Sequence, residues 1–241
     1  SDSLLKLKII NKEEEMATDT GFGKVKFWHD FCGPAVDETN DIDAGTENSG
    51  TQAISTGADG IYRLTTGIVS GNRVAFGTSL NWRASDGGPL TFEARIKSVT
   101  AITTRAYFIG LTDTVPSGTL ENPIEMSGTT LTTTASDAVG FMYDTDATND
   151  YWYCVGVKAD ADGTSVNTSV APAAAGTYQT LRVMVSVDGH ADFYIDGKFE
   201  GHVDSAITAA TAVCGIVLVE TRTAGASILD TDYIYLEKGR A

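Results

Sequence analysis

The chain has 241 residues, with 17 basic and 32 acidic side chains and a formal net charge of −15. A hydrophobic fraction of 42% with 9% aromatics is that of a core-forming globular protein and excludes global disorder. The acidic balance excludes nucleic acid and anionic membrane as partners, because both recruit clustered Lys and Arg.

A chain of this length suits one large all-β domain or two small domains. It should bury about 70% of the surface its unfolded form exposes, so neither metal nor disulfide is required to hold it together. Residues 1–24 read as an arm and linker. Leu4, Leu5, Leu7, Ile9 and Ile10 are interspersed with Lys6 and Lys8, then followed by Asn11 and Glu13–Glu15. A short strand or one amphipathic helix would fit. Two roles stay open for this arm: a frayed terminus, or a segment that packs on a neighbouring subunit. Thr18–Gly23 supplies the linker. The N-terminal stretch does not read as a basic-then-apolar signal peptide, and a start at Met16 is an alternative.

From residue 25 to 241 short runs of Val, Ile, Thr, Phe and Tyr alternate with Gly, Asp, Asn and Ser, the pattern of successive strands and turns. The strands expected in chain order are Val25–Phe31, Gly60–Thr66, Arg73–Leu80, Leu90–Val99, Arg105–Leu111 and Ala138–Tyr143. Tyr151–Lys158, Gln179–Val187, Ala191–Ile195, Cys214–Thr221 and Ser227–Leu236 follow. Within Leu90–Ile96, Leu90, Phe92, Ala94 and Ile96 share one face, and Thr91, Glu93 and Arg95 the other. This is a half-buried antiparallel strand. Leu181, Val183, Val185 and Val187 repeat the pattern. Asp188-Gly189 and Asp196-Gly197 mark tight turns that cut out a three-strand meander around Asp192–Ile195. Cys32, Cys154 and Cys214 have neither disulfide-framework nor zinc-site spacing, and the latter two sit in apolar runs as small hydrophobes. A reducing cytoplasm fits them.

The segment from Val185 through Ala191-Asp192-Phe193-Tyr194-Ile195-Asp196-Gly197-Lys198 resembles the back-sheet hairpin of concanavalin A-like lectin/glucanase domains, including the laminin G-like branch. Thr91–Ile96, Phe108–Asp113, Ala138–Tyr143 and Asp232–Glu237 resemble further strands of that family, in the same order. The resemblance spans about residues 25 to 238 and implies an all-β fold: a two-sheet antiparallel jelly-roll sandwich with a short N-terminal arm.

That fold hosts hydrolases, lyases, lectins and structural modules, so function must come from residues. The Glu-x-Asp-x-x-Glu strand of the family's glucanases is missing; Glu93, Glu121 and Glu125 are not so spaced. His29, His190 and His202 lie outside the lyase branch's pattern, and His190 reads as a solvated turn residue. The expectation is a protein without turnover. Asp144, Asp146 and Asp150 cluster oxygen ligands that calcium could use, against the plainer reading of a solvated acidic turn. Trp82, Tyr151 and Trp152 are the aromatics a glycan could stack on, against core packing.

An acidic jelly roll with a free arm looks like a structural protein of a tailed bacteriophage, a capsid decoration or head-fibre protein. On that analogy the protein belongs to the virion and is made in the host cytoplasm. Leu4, Leu5, Leu7, Ile9 and Ile10 would then dock on the capsid or other virion proteins, within a homo-oligomer such as a trimer. The alternative is a lectin-like carbohydrate-binding module, using Trp82, Tyr151 and Trp152 and the 144–150 loop.

Overall fold

The computed structural model describes residues 23–38, 40–55, 60–163 and 165–240. The arm residues Leu4, Leu5, Leu7, Ile9 and Ile10 lie outside them. In chain order the strands are β1 (Lys24–His29), β2 (Asp43–Glu47), β3 (Gly50–Ser55), β4 (Ile61–Thr66), β5 (Arg73–Gly77) and β6 (Leu90–Ser98). Next come β7 (Arg105–Thr112), β8 (Ile124–Ser127), β9 (Thr130–Thr133), β10 (Ala138–Asp144), β11 (Tyr153–Lys158) and β12 (Ala161–Asp162). The last six are β13 (Val166–Asn167), β14 (Tyr178–Val185), β15 (Ala191–Ile195), β16 (Lys198–Val203), β17 (Cys214–Thr221) and β18 (Ile228–Gly239).

Two antiparallel sheets pack face to face. The first runs β16-β15-β14-β6-β18-β4-β3, with β1 also paired to β18; the second runs β12-β11-β10-β7-β17-β5-β2, with β13 on β11. Between them lies the main core, which includes Phe92, Ile96, Phe141, Trp152, Val183, Phe193 and Leu236. β6 keeps the expected alternation, with Leu90, Phe92, Ala94 and Ile96 buried. In β18 a bulge between Thr231 and Tyr233 shifts the phase. Leu229 and Thr231 are buried before it, Ile234 and Leu236 after it, so Tyr233 and Tyr235 turn outward.

The middle strands of the second sheet, β7, β10 and β17, are buried on both faces. The segment 113–137, including the β8–β9 hairpin, lays Leu120, Ile124, Met126 and Ala135 over Phe108, Met142, Val155 and Leu218 as a second core. This explains why β7, β10 and β17 are continuous apolar runs rather than alternating ones: a strand covered on both sides has no polar face to offer.

Each expected strand is present, with ends moved by a few residues. β14 stops at Val185, and the chain turns through Ser186–Gly189, so Val187 is 48% exposed instead of facing the core. Asp196 (φ 50°) and Gly197 (φ 80°) form the expected tight turn, with both residues left-handed. At Asp188-Gly189 only Gly189 has positive φ, because that loop is longer. The short or polar strands β2, β3, β8, β9, β12 and β13 were not expected. Cys154 and Cys214 are buried, as their apolar runs suggest, and burial pushes the Cys214 thiol up to about 12.

Candidate functional site

The first sheet carries a water-facing side chain row that no single stretch of sequence contains. Register pairs Trp28 with Tyr235, Tyr235 with Glu93, Glu93 with Arg182, Arg182 with Tyr194, and Tyr194 with Phe199. The row therefore crosses β1, β18, β6, β14, β15 and β16, about 24 Å at the usual interstrand spacing. Aromatics occupy both ends and a charged pair the middle.

At one end Trp28 is 56% exposed and stacks on Tyr233, with ring centroids 4.6 Å apart and 20° between planes. Tyr235 meets Trp28 edge-on at 5.9 Å. At the other end Tyr194 and Phe199 pack in a T, and Phe199 is 52% exposed. Between them Glu93 accepts hydrogen bonds from Arg182 Nε at 2.5 Å and from the Tyr233 hydroxyl at 2.7 Å. Burial, then the bond to Glu93, pushes the Tyr233 hydroxyl up to about 12. Glu93, Thr180, Arg182, Tyr194, Asp196, Gly197 and Tyr233 line a hollow of about 380 Å³ beside the row. Asp196 is fixed at its rim by accepting the Thr180 N–H at 2.8 Å. Arg95 lies over the Tyr178 ring at 4.0 Å and pairs with Asp232. Flat aromatic faces next to fixed donors and acceptors suit a ligand that is apolar on one side and hydroxylated at its edges.

The aromatics singled out from sequence are placed elsewhere. Trp152 is 1% exposed, and its indole N–H donates to Gln179 Oε1 at 3.1 Å inside the main core. Trp82 is buried in the same core, bridged to Val213. Tyr151 is half-buried and follows the 144–150 loop between β10 and β11, strands of the second sheet, whereas the row lies on the first. Neither tryptophan offers a ring face to a sugar, because both are buried in the main core. Of the two readings left open for Trp82 and Trp152, glycan contact and core packing, their burial favours core packing.

The calcium reading fails on charge. Asp144 is fully buried, and Arg222 grips both of its oxygens, with Nε at 2.9 Å from Oδ1. The N–H groups of Met126 (3.1 Å) and Asp146 (3.0 Å) complete its hydrogen bonds. A guanidinium thus holds the position a cation would need, and Asp146 itself sits 3.9 Å from Arg222. Arg222 also bonds Glu220 at 2.8 Å and approaches Glu125, while Arg73 bonds both carboxylates. Burial, then the charge of Glu220, raises the Glu125 carboxyl. Under the hairpin these groups tie β5, β8, β10 and β17 together.

Alternation in the sequence marks Glu93 and Arg95 as outward but does not show the row; only register joins Glu93 to Trp28, Arg182 and Tyr194, and sets Arg95 beside Tyr233 and Thr180.

No protein-family model matches the chain, and no curated protein does. Solved structures do. The Emp47p carbohydrate recognition domain is 11% identical, covering 89% of this chain and 95% of that one with a TM-score of 0.59. The beta-glucanase of Bacillus licheniformis is 13% identical, covering 88% and 97%, with a TM-score of 0.55. The kappa-carrageenase of Pseudoalteromonas carrageenovora, solved with an oligotetrasaccharide of kappa-carrageenan, is 14% identical over 90% and 96%, with a TM-score of 0.55. What is shared at such identities is the path of the chain: two antiparallel sheets in the jelly-roll sandwich of the concanavalin A-like lectins and glucanases.

Proposed function

We propose that the protein binds carbohydrate without turning it over, through the open face of the first sheet. The observation that carries this reading is the row from Trp28 to Phe199, in which exposed rings flank the Glu93–Arg182 pair above a hollow of about 380 Å³. Pyranose rings present a C–H face that stacks on aromatics and an equatorial rim of hydroxyls that bonds to fixed charged and amide groups. Structures of the same fold are named for a carbohydrate recognition domain and for enzymes of polysaccharides, which supports the same class of ligand. The carboxylates under the hairpin, Glu125 and Glu220, are committed to Arg73 and Arg222, which supports a binding role over hydrolysis. No observation on the described residues favours the capsid-bound role, whose arm lies outside them.

A glycan array followed by calorimetry on the best hit tests this. Saturable binding is expected, cut at least tenfold by Trp28→Ala and by Tyr194→Ala while the urea midpoint stays within error. No new reducing ends should form from the bound glycan. A blank array, or variants that bind like the parent, would overturn the reading; product release would overturn the exclusion of hydrolysis.

A further inference from the structure

At the β15–β16 edge of the first sheet two of the three histidines in the chain converge on one carboxylate. Asp204 Oδ1 lies 3.0 Å from His190 Nδ1 and 3.1 Å from His202 Nε2. The three atoms fall within 4.8 Å of one another, and the imidazole planes are 14° from parallel. His190 comes from the turn after β14, His202 from β16 and Asp204 from just beyond it, so antiparallel pairing of β15 with β16 assembles the group.

Neighbouring groups hold the ring nitrogens in place. His190 Nδ1 lies 3.3 Å from the Ser205 N–H, and His202 Nδ1 lies 2.6 Å from Asp192 Oδ1. As neutral rings, with Nε2–H on His190 and Nδ1–H on His202, both imidazoles turn a lone pair toward Asp204 Oδ1, the arrangement that a metal ion between them uses.

From this geometry we infer that His190 Nδ1, His202 Nε2 and Asp204 Oδ1 form a binding site for a divalent transition metal of borderline softness, with zinc as the natural probe. Tetrahedral zinc with bonds near 2.0–2.1 Å sets ligand atoms about 3.3 Å apart, close to the two separations observed here. Two imidazoles and one carboxylate suit zinc, nickel, copper or cobalt and not calcium or magnesium, which prefer all-oxygen shells. Asp192 plays the outer part: it orients His202 by holding Nδ1–H, as carboxylates behind metal-bound histidines do. Asp204 and His202 are exposed, so the remaining coordination position opens to solvent.

The site is independent of the carbohydrate reading, and its test is direct. Untagged, chelator-stripped protein is titrated with zinc chloride by calorimetry and by equilibrium dialysis. One saturable zinc per chain is expected, lost in the His190→Ala/His202→Ala double variant and weakened about 10- to 100-fold by Asp192→Asn. Calcium and magnesium should give no heat at this site. All positions lie at the surface, and unchanged urea midpoints would show that each variant folds. No saturable zinc binding, or binding unaltered in the double variant, overturns the site; equal binding of calcium that disappears in the double variant overturns the assignment of metal class.

Discussion

Removing the Arg222 guanidinium tests the account of the covered second sheet. Arg222→Ala takes both donors from Asp144, which is 0% exposed, and one from Glu220, which is 1% exposed. Glu220 keeps Arg73 and Asn122, so its loss is partial; Asp144 keeps only two backbone N–H groups. Deleting one partner of a buried ion pair costs about 3–5 kcal/mol, since the other charge stays desolvated and unpaired. For a chain of this size that is roughly 6–20 °C in Tm, at about 2–4 °C per kcal/mol. Urea unfolding followed by tryptophan fluorescence reads the loss, because Trp152 lies in the core.

Asp144→Asn supplies the control. It removes the stranded charge yet keeps an oxygen for one backbone donor, so the double variant should recover part of the loss, with a coupling of about 0.5–3 kcal/mol. A loss below about 1 kcal/mol, or strictly additive variants, would refute the view that this ion pair anchors the hairpin.

Two further outcomes follow from packing and charge. A Cβ at Gly215 would stand 2.7 Å from two ring carbons of Phe92 and 3.1 Å from Leu236 Cδ2, between the sheets. Gly215→Ala should cost about 1–3 kcal/mol by overpacking, and an unchanged urea midpoint would count against so close an approach. Glu237 is the tether of β1. Burial would raise its pKa, but hydrogen bonds from Lys24, Tyr235 and Lys26 together outweigh burial and hold it below the usual range. Its stabilisation is therefore complete above the unfolded value of about 4.3 and drains as pH falls through the folded one. Protection of the β1 amides from hydrogen exchange, taken relative to the intrinsic rate at each pH, should fall below that range in the parent, and the fall should be weaker in Glu237→Gln. Equal acid slopes would exclude the tether.

How much was legible from sequence depended on how far apart the deciding residues lie. β6 could be read because Leu90 to Ile96 alternate against water on one side, a local consequence of a half-buried face. β7, β10 and β17 could be read as strands, but not as covered ones; the same apolar runs fit a strand buried by one sheet or by two layers. β2 (Asp43–Glu47) and β3 (Gly50–Ser55) have almost no apolar residues, since they are outer strands formed by pairing rather than by burial. The aspartates at 144, 146 and 150 resembled a calcium loop because sequence shows neighbours and hides Arg222, which arrives from 78 residues away. Trp152 stayed open between glycan contact and core packing for a related reason: Trp152 enters the core between the sheets and Tyr153 the core under the 113–137 segment, and only that cover makes both sides dry. Likewise His190 reads as a turn residue until β16 brings His202 beside it.

The two outer faces of the sandwich have opposite designs, and the contrast supports the choice of binding face. On the second sheet the 113–137 segment fills the outer face with Leu120, Ile124 and Met126, so a ligand there would have to displace a packed core. The first sheet leaves its outer face to water, yet sets Trp28, Tyr194, Phe199, Tyr233 and Tyr235 on it. Outward aromatics on an open sheet invite edge pairing and aggregation. Lys24 and Lys26 on β1 answer that hazard at the Trp28 end, being charges on an outer strand, and Glu237 fixes them there. An aromatic row kept open and guarded by charge at its edge is what a face built for a soluble, ring-shaped ligand requires, whereas a face needed only for folding could have carried Thr and Lys throughout.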